Sequence, residues 1–389
     1  MCKHISLQTA VSRRRTRFLL SGAAAASFAG LARGHREAER AEEVLERALQ
    51  EGLGADYRRR IAEAPDPRPD PGSDDGRSPT LRPEVGLRRR YAAVRDLAYG
   101  DDGRRNRLDI WRRADLPDDA GAPVLLQIHG GAWTFGAKQG QAHPLMGHLA
   151  ERGWVCVTVN YRLAPRWRWP AQIVDVKRAL AWVRANIGEH GGDPSFLAIT
   201  GGSAGGHLAA LAALTPGPSG RGSGRLGPSG RGSGDHSVAA FQPGFEDADT
   251  SVTAVVPFYG VYDFTNRDGT AGRRLVPFLE RRVMPTGLAD DPAAWEQASP
   301  VSHRRPDAPP FFVLHGANDG VVPVAHAGAF VARLREVSRQ PVVYAALPRA
   351  HHAFDVLPTV RTQHTVRAVE RFLAVVRTSD RHRAGARAG

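Results

Sequence analysis

The stretch Phe196-Leu197-Ala198-Ile199-Thr200-Gly201-Gly202-Ser203-Ala204-Gly205-Gly206-His207-Leu208-Ala209-Ala210-Leu211 decides how this chain folds. It opens with an apolar run of strand length, passes through a block of small residues around Ser203, and continues with helix formers. Glycines beside Ser203 let strand and helix meet in a strained turn, where the serine oxygen projects outward and helix N-terminal amides face it. A G-x-S-x-G pattern arises easily in a chain holding 42 glycines, so the flanking strand and helix give it its weight.

Working outward, short apolar runs bounded by turn residues recur at Val124 to Ile128, Trp154 to Asn160, Thr253 to Phe258, Phe311 to Leu314 and Val342 to Leu347. Each has the length of a buried strand. Helical stripes fall between or after them, as with Val176, Leu180, Val183 and Ile187, and with Val366, Val369, Leu373 and Val376. Tyr91 to Tyr99 and Asn106 to Trp111 flank the turn Gly100-Asp101-Asp102-Gly103 and predict an opening antiparallel pair. The alternation implies an α/β fold around a mostly parallel, doubly wound sheet with flanking helices.

The 389 residues divide into three parts. Residues 1–35 carry Arg13-Arg14-Arg15-Thr16-Arg17 and an alanine-rich stretch from Phe18 to Ala32, the outline of a signal peptide or of a basic tail. If it is a signal, the protein is exported or associates with a membrane through this end alone; otherwise it is cytoplasmic. Residues 36–86 hold a helix from Glu37 to Leu53 and a linker rich in Pro, Asp, Gly and Ser. Residues 87–380 form the catalytic domain, interrupted at 216–238 where Gly-Pro-Ser-Gly-Arg-Gly-Ser-Gly is written twice, at 217–224 and 227–234. That composition predicts a disordered surface loop.

A formal charge of +13 suggests nucleic acid as a partner, but 50 of the 53 basic residues are arginine and no face interleaves them with aromatics, so none is expected. With 42% apolar residues the bulk is soluble. Cys2 and Cys156 predict no disulfide, and no His/Cys group has the spacing of a metal site.

The chemistry gathers at strand ends. Val124 to Ile128 leads into His129-Gly130-Gly131-Ala132-Trp133, whose side-chain-free backbone can offer the Gly130 and Gly131 amides to an oxyanion, with the Ala204 amide as third donor. Trp133 and Phe135 follow directly and are candidates for the wall of a substrate pocket. Asp319 lies in the loop after Phe311 to Leu314, and His351-His352 follows Val342 to Leu347. The order Ser, Asp, His, with every member at a carboxyl strand end, points to nucleophilic acyl transfer needing no cofactor or metal.

Between Tyr91 and Val376 the chain resembles the α/β-hydrolases of the hormone-sensitive-lipase type, the bacterial family IV esterases, and is similar to actinobacterial lipase/esterase proteins. The likeness rests on His129-Gly130-Gly131, Tyr161-Arg162-Leu163-Ala164-Pro165, Gly192-Asp193-Pro194 and Ser203-Ala204-Gly205-Gly206. It implies an α/β-hydrolase fold with a small cap, to which the helix from Glu37 can contribute, and a small-molecule ester as substrate. It also implies Ser203 as nucleophile, Asp319 as acid and His352, two before Phe354, as base. Ala132 in place of a third glycine and Gly202 in place of an aspartate depart from the family pattern. The expected activity is a serine carboxylesterase for short to medium acyl esters; an amidase or arylformamidase on the same scaffold, or a non-catalytic binding protein, are the alternatives.

Overall fold

Three runs lie side by side and parallel at the centre of the molecule: Ala122–Ile128 (β3), Val155–Val159 (β4) and Gly192–Gly202 (β5). Every residue of β3 and β4 is buried, because helices cover both faces, and their sequences are accordingly apolar without alternation. This computed structural model describes residues 37–63, 84–218 and 240–388. The signal-like stretch at 13–32, the Pro-rich linker at 65–80 and most of the duplicated segment lie outside the described residues.

Ala92–Ala98 (β1), Arg107–Trp111 (β2), Ala254–Phe258 (β6), Phe311–Gly316 (β7) and Val342–Leu347 (β8) complete an eight-stranded sheet ordered β1-β2-β4-β3-β5-β6-β7-β8. The β1–β2 and β2–β4 pairings are antiparallel, the rest parallel. The order reverses at β3: the chain leaves it toward β4 on one side, then returns to β5 on the other. Such a reversal opens a crevice at the carboxyl ends of β3 and β5, where ligands of open α/β sheets bind.

One face is covered by Ala171–Asn186 (α5), Ala204–Leu214 (α6) and Val324–Arg335 (α9), whose Val176, Leu208 and Phe330 join one cluster with Val124, Leu126 and Ile128. The same cluster holds Leu279 and Trp295 of Leu275–Arg282 (α7) and Pro292–Gln297 (α8), two short helices between β6 and β7. The other face is covered by a helix over 37–53 (α1), Tyr57–Ala62 (α2), Glu84–Tyr91 (α3), His143–Glu151 (α4) and Val360–Ala388 (α10).

The helix at 37–53 thus lies beneath the sheet instead of capping the site. Ala41, Leu45 and Leu49 pack with Val343 and Phe372, and Glu37 at its start pairs with Arg349 and Arg361. Its sequence is dense in charge because only one stripe is buried. The duplicated segment also differs from expectation at its first residue. Gly217 is buried and its amide donates to Thr250 Oγ1 at 2.9 Å, while Lys177 Nζ donates to Gln242 Oε1 at 2.8 Å and also to the Thr215 carbonyl, joining the chain on both sides of the excursion.

Candidate active site

Ser203 sits at φ 57°, ψ −118°, a conformation a side-chain-bearing residue adopts only when its surroundings force it. The forcing is visible in the glycines. A Cβ on Gly205 would lie 2.2 Å from the Ile128 carbonyl oxygen, and one on Gly201 would lie 2.5 Å from the Gly205 carbonyl. The elbow is therefore pressed against the end of β3, and the Ser203 amide donates to the Phe258 carbonyl at 2.9 Å.

Ile128 pairs in register with Gly201, which brings the turn after β3 level with the serine. This turn corrects one expectation. The Gly130 amide donates to Gln141 Oε1 at 2.6 Å and is thereby already occupied. Among the described residues the amides of Gly131, Ala132 and Ala204 donate to no protein group. Ala132, at φ 48°, adopts the left-handed conformation that the family's third glycine would take more easily.

Trp133 is 2% exposed, and its indole N–H donates to His207 Nδ1 at 3.1 Å. It packs edge-on against Phe264 in the core behind the turn, so it supports the turn and does not line a pocket. Phe135, by contrast, is 65% exposed beside it. His207 Nε2 donates to the Ala298 carbonyl, and burial pushes this imidazole down to about 3, so His207 is neutral and acts as a fixed strut.

On the other side of Ser203 the loops after β7 and β8 carry Asp319 and His352, the acid and base expected from the sequence. His352 Nδ1 lies 2.7 Å from Asp319 Oδ2, while Asp319 Oδ1 accepts the Val321 and Val322 amides at 2.8 and 2.9 Å. His315 Nε2, 3.3 Å from Asp319 Oδ2, adds a further contact. Burial works against this carboxylate, but hydrogen bonds from His315, His352 and the Val322 amide outweigh it and hold its pKa far below the usual range. His351 is exposed and bonds the Asn318 carbonyl at 3.0 Å, so geometry separates the two adjacent histidines. The structure gives no hydrogen bond between Ser203 Oγ and His352.

Sequence reasoning missed Tyr259 and Asp355. The Tyr259 ring centroid is 4.7 Å from that of His352, its hydroxyl donates to Asp355 Oδ1 at 2.5 Å, and a Cβ on Gly202 would lie 2.6 Å from the hydroxyl. Gly202 is thus required by the tyrosine beside it. Burial raises the Asp355 pKa and, with the Asp355 charge, that of Tyr259. The only signal in the sequence was the glycine where an aspartate is usual.

No group of three or more His, Cys, Asp or Glu gathers as a metal site among the described residues. A strained serine elbow at the reversal point of a mostly parallel sheet, with a histidine and an aspartate at later strand ends, defines an α/β-hydrolase. Residues 108–334 match the BD-FAE family, and the chain belongs to it. It is 52% identical over 353 residues to the probable carboxylic ester hydrolase LipM of Mycobacterium tuberculosis, covering 91% of this chain and 77% of that one. To esterase LipQ of the same organism it is 48% identical, covering 87% and 76%. These relatives agree with the resemblance to actinobacterial esterases of the hormone-sensitive-lipase type. An esterase structure from Thermogutta terrifontis superimposes with a TM-score of 0.56 at 22% identity, covering 72% of this chain and 93% of that one, a likeness of fold.

Proposed function

We propose that this chain is a serine carboxylesterase acting on short to medium acyl esters through Ser203, His352 and Asp319. In this reading Ser203 Oγ attacks the ester carbonyl carbon as His352 takes its proton. The carbonyl oxygen becomes an oxyanion held by the Gly131, Ala132 and Ala204 amides. Collapse expels the alcohol, which receives the proton from His352 and leaves an acyl-serine. Water then attacks in the same way and releases the carboxylic acid. Asp319 fixes the imidazole tautomer and stabilises the imidazolium.

The observation that carries the reading is the Asp319–His352 bond of 2.7 Å in loops that flank the Ser203 elbow. The naming of relatives as ester hydrolases supports it. Exposed Phe135, Val321 and Leu357, on the loops that bear the oxyanion turn, Asp319 and His352, offer apolar surface for an acyl chain. Each methylene that finds such surface gains roughly 0.8 kcal/mol, so kcat/KM for p-nitrophenyl esters should rise from acetate and fall before palmitate. A palmitate optimum would instead indicate a lipase. Faster cleavage of N-formylkynurenine or of anilides than of any ester would favour the amidase or formamidase alternative, and no turnover of any of them a binding protein.

A further inference from the structure

A cleft of about 860 Å³ opens beside the oxyanion turn, between Thr134 and Gly136 after β3, the loop from Leu163 to Trp167 after β4, and the β1–β2 turn. It does not contain Ser203. Four arginines line it: Arg104, Arg105, Arg107 and Arg166. Its two carboxylates are already held by other cations, Asp96 by Lys138 at 2.9 Å and Asp102 by Arg162 at 3.2 Å. None of the four arginines has a carboxylate within 4.0 Å among the described residues. Arg105 Nη1 bonds the Gly136 carbonyl at 3.3 Å, Arg107 bonds the Gly103 and Asp96 carbonyls, and the Arg166 guanidinium lies over the Trp167 ring at 4.4 Å. Burial, with repulsion from Arg104, lowers the pKa of Arg105, as expected of cations gathered without a counter-charge.

We infer that this cleft binds an anionic oxygen group, a carboxylate or a phosphate. The inference rests on the esterase reading where it concerns the substrate. The cleft spans the ends of β3 and β4 and the β1–β2 turn, and Ser203 directly follows β5, the next strand beyond β3. Neighbouring strands are about 4.8 Å apart, which puts Arg166, after β4, about two strand spacings from the nucleophile and the arginines of the β1–β2 turn about three, less the reach of their own side chains. A flexible ester with a charge several bonds from its carbonyl spans that interval, so esters that carry such a charge are the substrate class assigned to it. Guanidinium groups bind planar oxyanions through paired N–H donors.

The test compares p-nitrophenyl monoesters of dicarboxylic acids, from succinate to suberate, with neutral acyl esters of matched length, in wild type and in the double variant R104Q/R166Q. A favourable charge-assisted contact predicts a kcat/KM preference of about tenfold for at least one charged ester at low salt. That preference should shrink with added salt and vanish in the double variant, with neutral-ester turnover unchanged. Inorganic phosphate that competes with the charged ester alone makes the substrate's own group the ligand; phosphate that alters neutral-ester turnover, in wild type and not in the variant, makes it a free anion. Phosphate binding by calorimetry reads the site even if no ester is turned over, so failure of the esterase reading is recognised separately. Equal rates on charged and neutral esters together with no phosphate binding would overturn the inference.

Independently, the geometry points to Tyr259 and Asp355 as positioning residues for His352. Both are buried and bonded to each other, and the Tyr259 ring packs on the imidazole with centroids 4.7 Å apart. D355N removes a negative charge near the base, so kcat should fall, KM should hold and the acid limb of the kcat/KM profile should move to lower pH. Y259F keeps the ring and should retain most activity at its optimum. A lower melting temperature with an unmoved pH profile would make the pair merely structural.

Discussion

At the scale of the residue, S203A should abolish ester turnover, and H352A should lower kcat by at least about a thousandfold without unfolding the protein, whereas H351A should leave kcat within a fewfold. Steady-state rates with circular dichroism on each variant check this. The exposed position of His351 against the Asn318 carbonyl is the reason for the contrast. Asp319 makes a prediction about pH. Its pKa is held down in the fold, so it contributes stability above the ordinary aspartate range, near pH 4, and that contribution is lost as pH falls through the depressed folded value. Urea denaturation of wild type and D319N should therefore differ more at pH 7 than at pH 3; a gap that widens on acidification contradicts the bonding described here. The serine was legible because its turn needs small residues on both sides, and a chain writes that need locally. Tyr259 and Asp355 were not legible, since they are 96 positions apart and meet only after β6 and β8 are in the sheet. The Gly130 amide was misread for a similar reason: Gln141, which accepts its hydrogen, lies in a stretch with no periodic pattern.

At the scale of the element, the strands were readable and the helices less so. Burial on both faces leaves β3 and β4 as plain apolar runs, while α4 is buried along its whole length and so has no polar face to mark a helical period. The short α7 and α8 carry too few turns to show one. Where strand and helix touch, glycine is obligatory for want of room. G205A should cost several kcal/mol, measured by chemical denaturation, because its methyl would meet backbone, which yields less easily than a side chain. G131A should lower kcat by about a hundredfold, since Gly131 at φ +118° abuts the Phe135 carbonyl and its distortion misaims the oxyanion donors. Normal kcat in G131A would move the oxyanion donors elsewhere.

At the scale of the whole molecule, two hydrophobic clusters sandwich one sheet, and the helix at 37–53 belongs to the one opposite α6. L49A should destabilise by about 2–5 kcal/mol, as for other buried leucines, with little change in kcat, because Leu49 packs on the face away from the oxyanion turn. A loss of activity without loss of stability would show instead that this helix acts on the site. The central claim is that a single serine, Ser203, carries the acyl group. It is tested most directly by treating the full chain with a fluorophosphonate while following ester hydrolysis, then mapping the adduct by peptide mass. The account predicts one adduct, on the peptide containing Ser203, rising in step with the loss of activity and absent from S203A. An adduct on another residue, or hydrolysis that survives complete modification of Ser203, would contradict it.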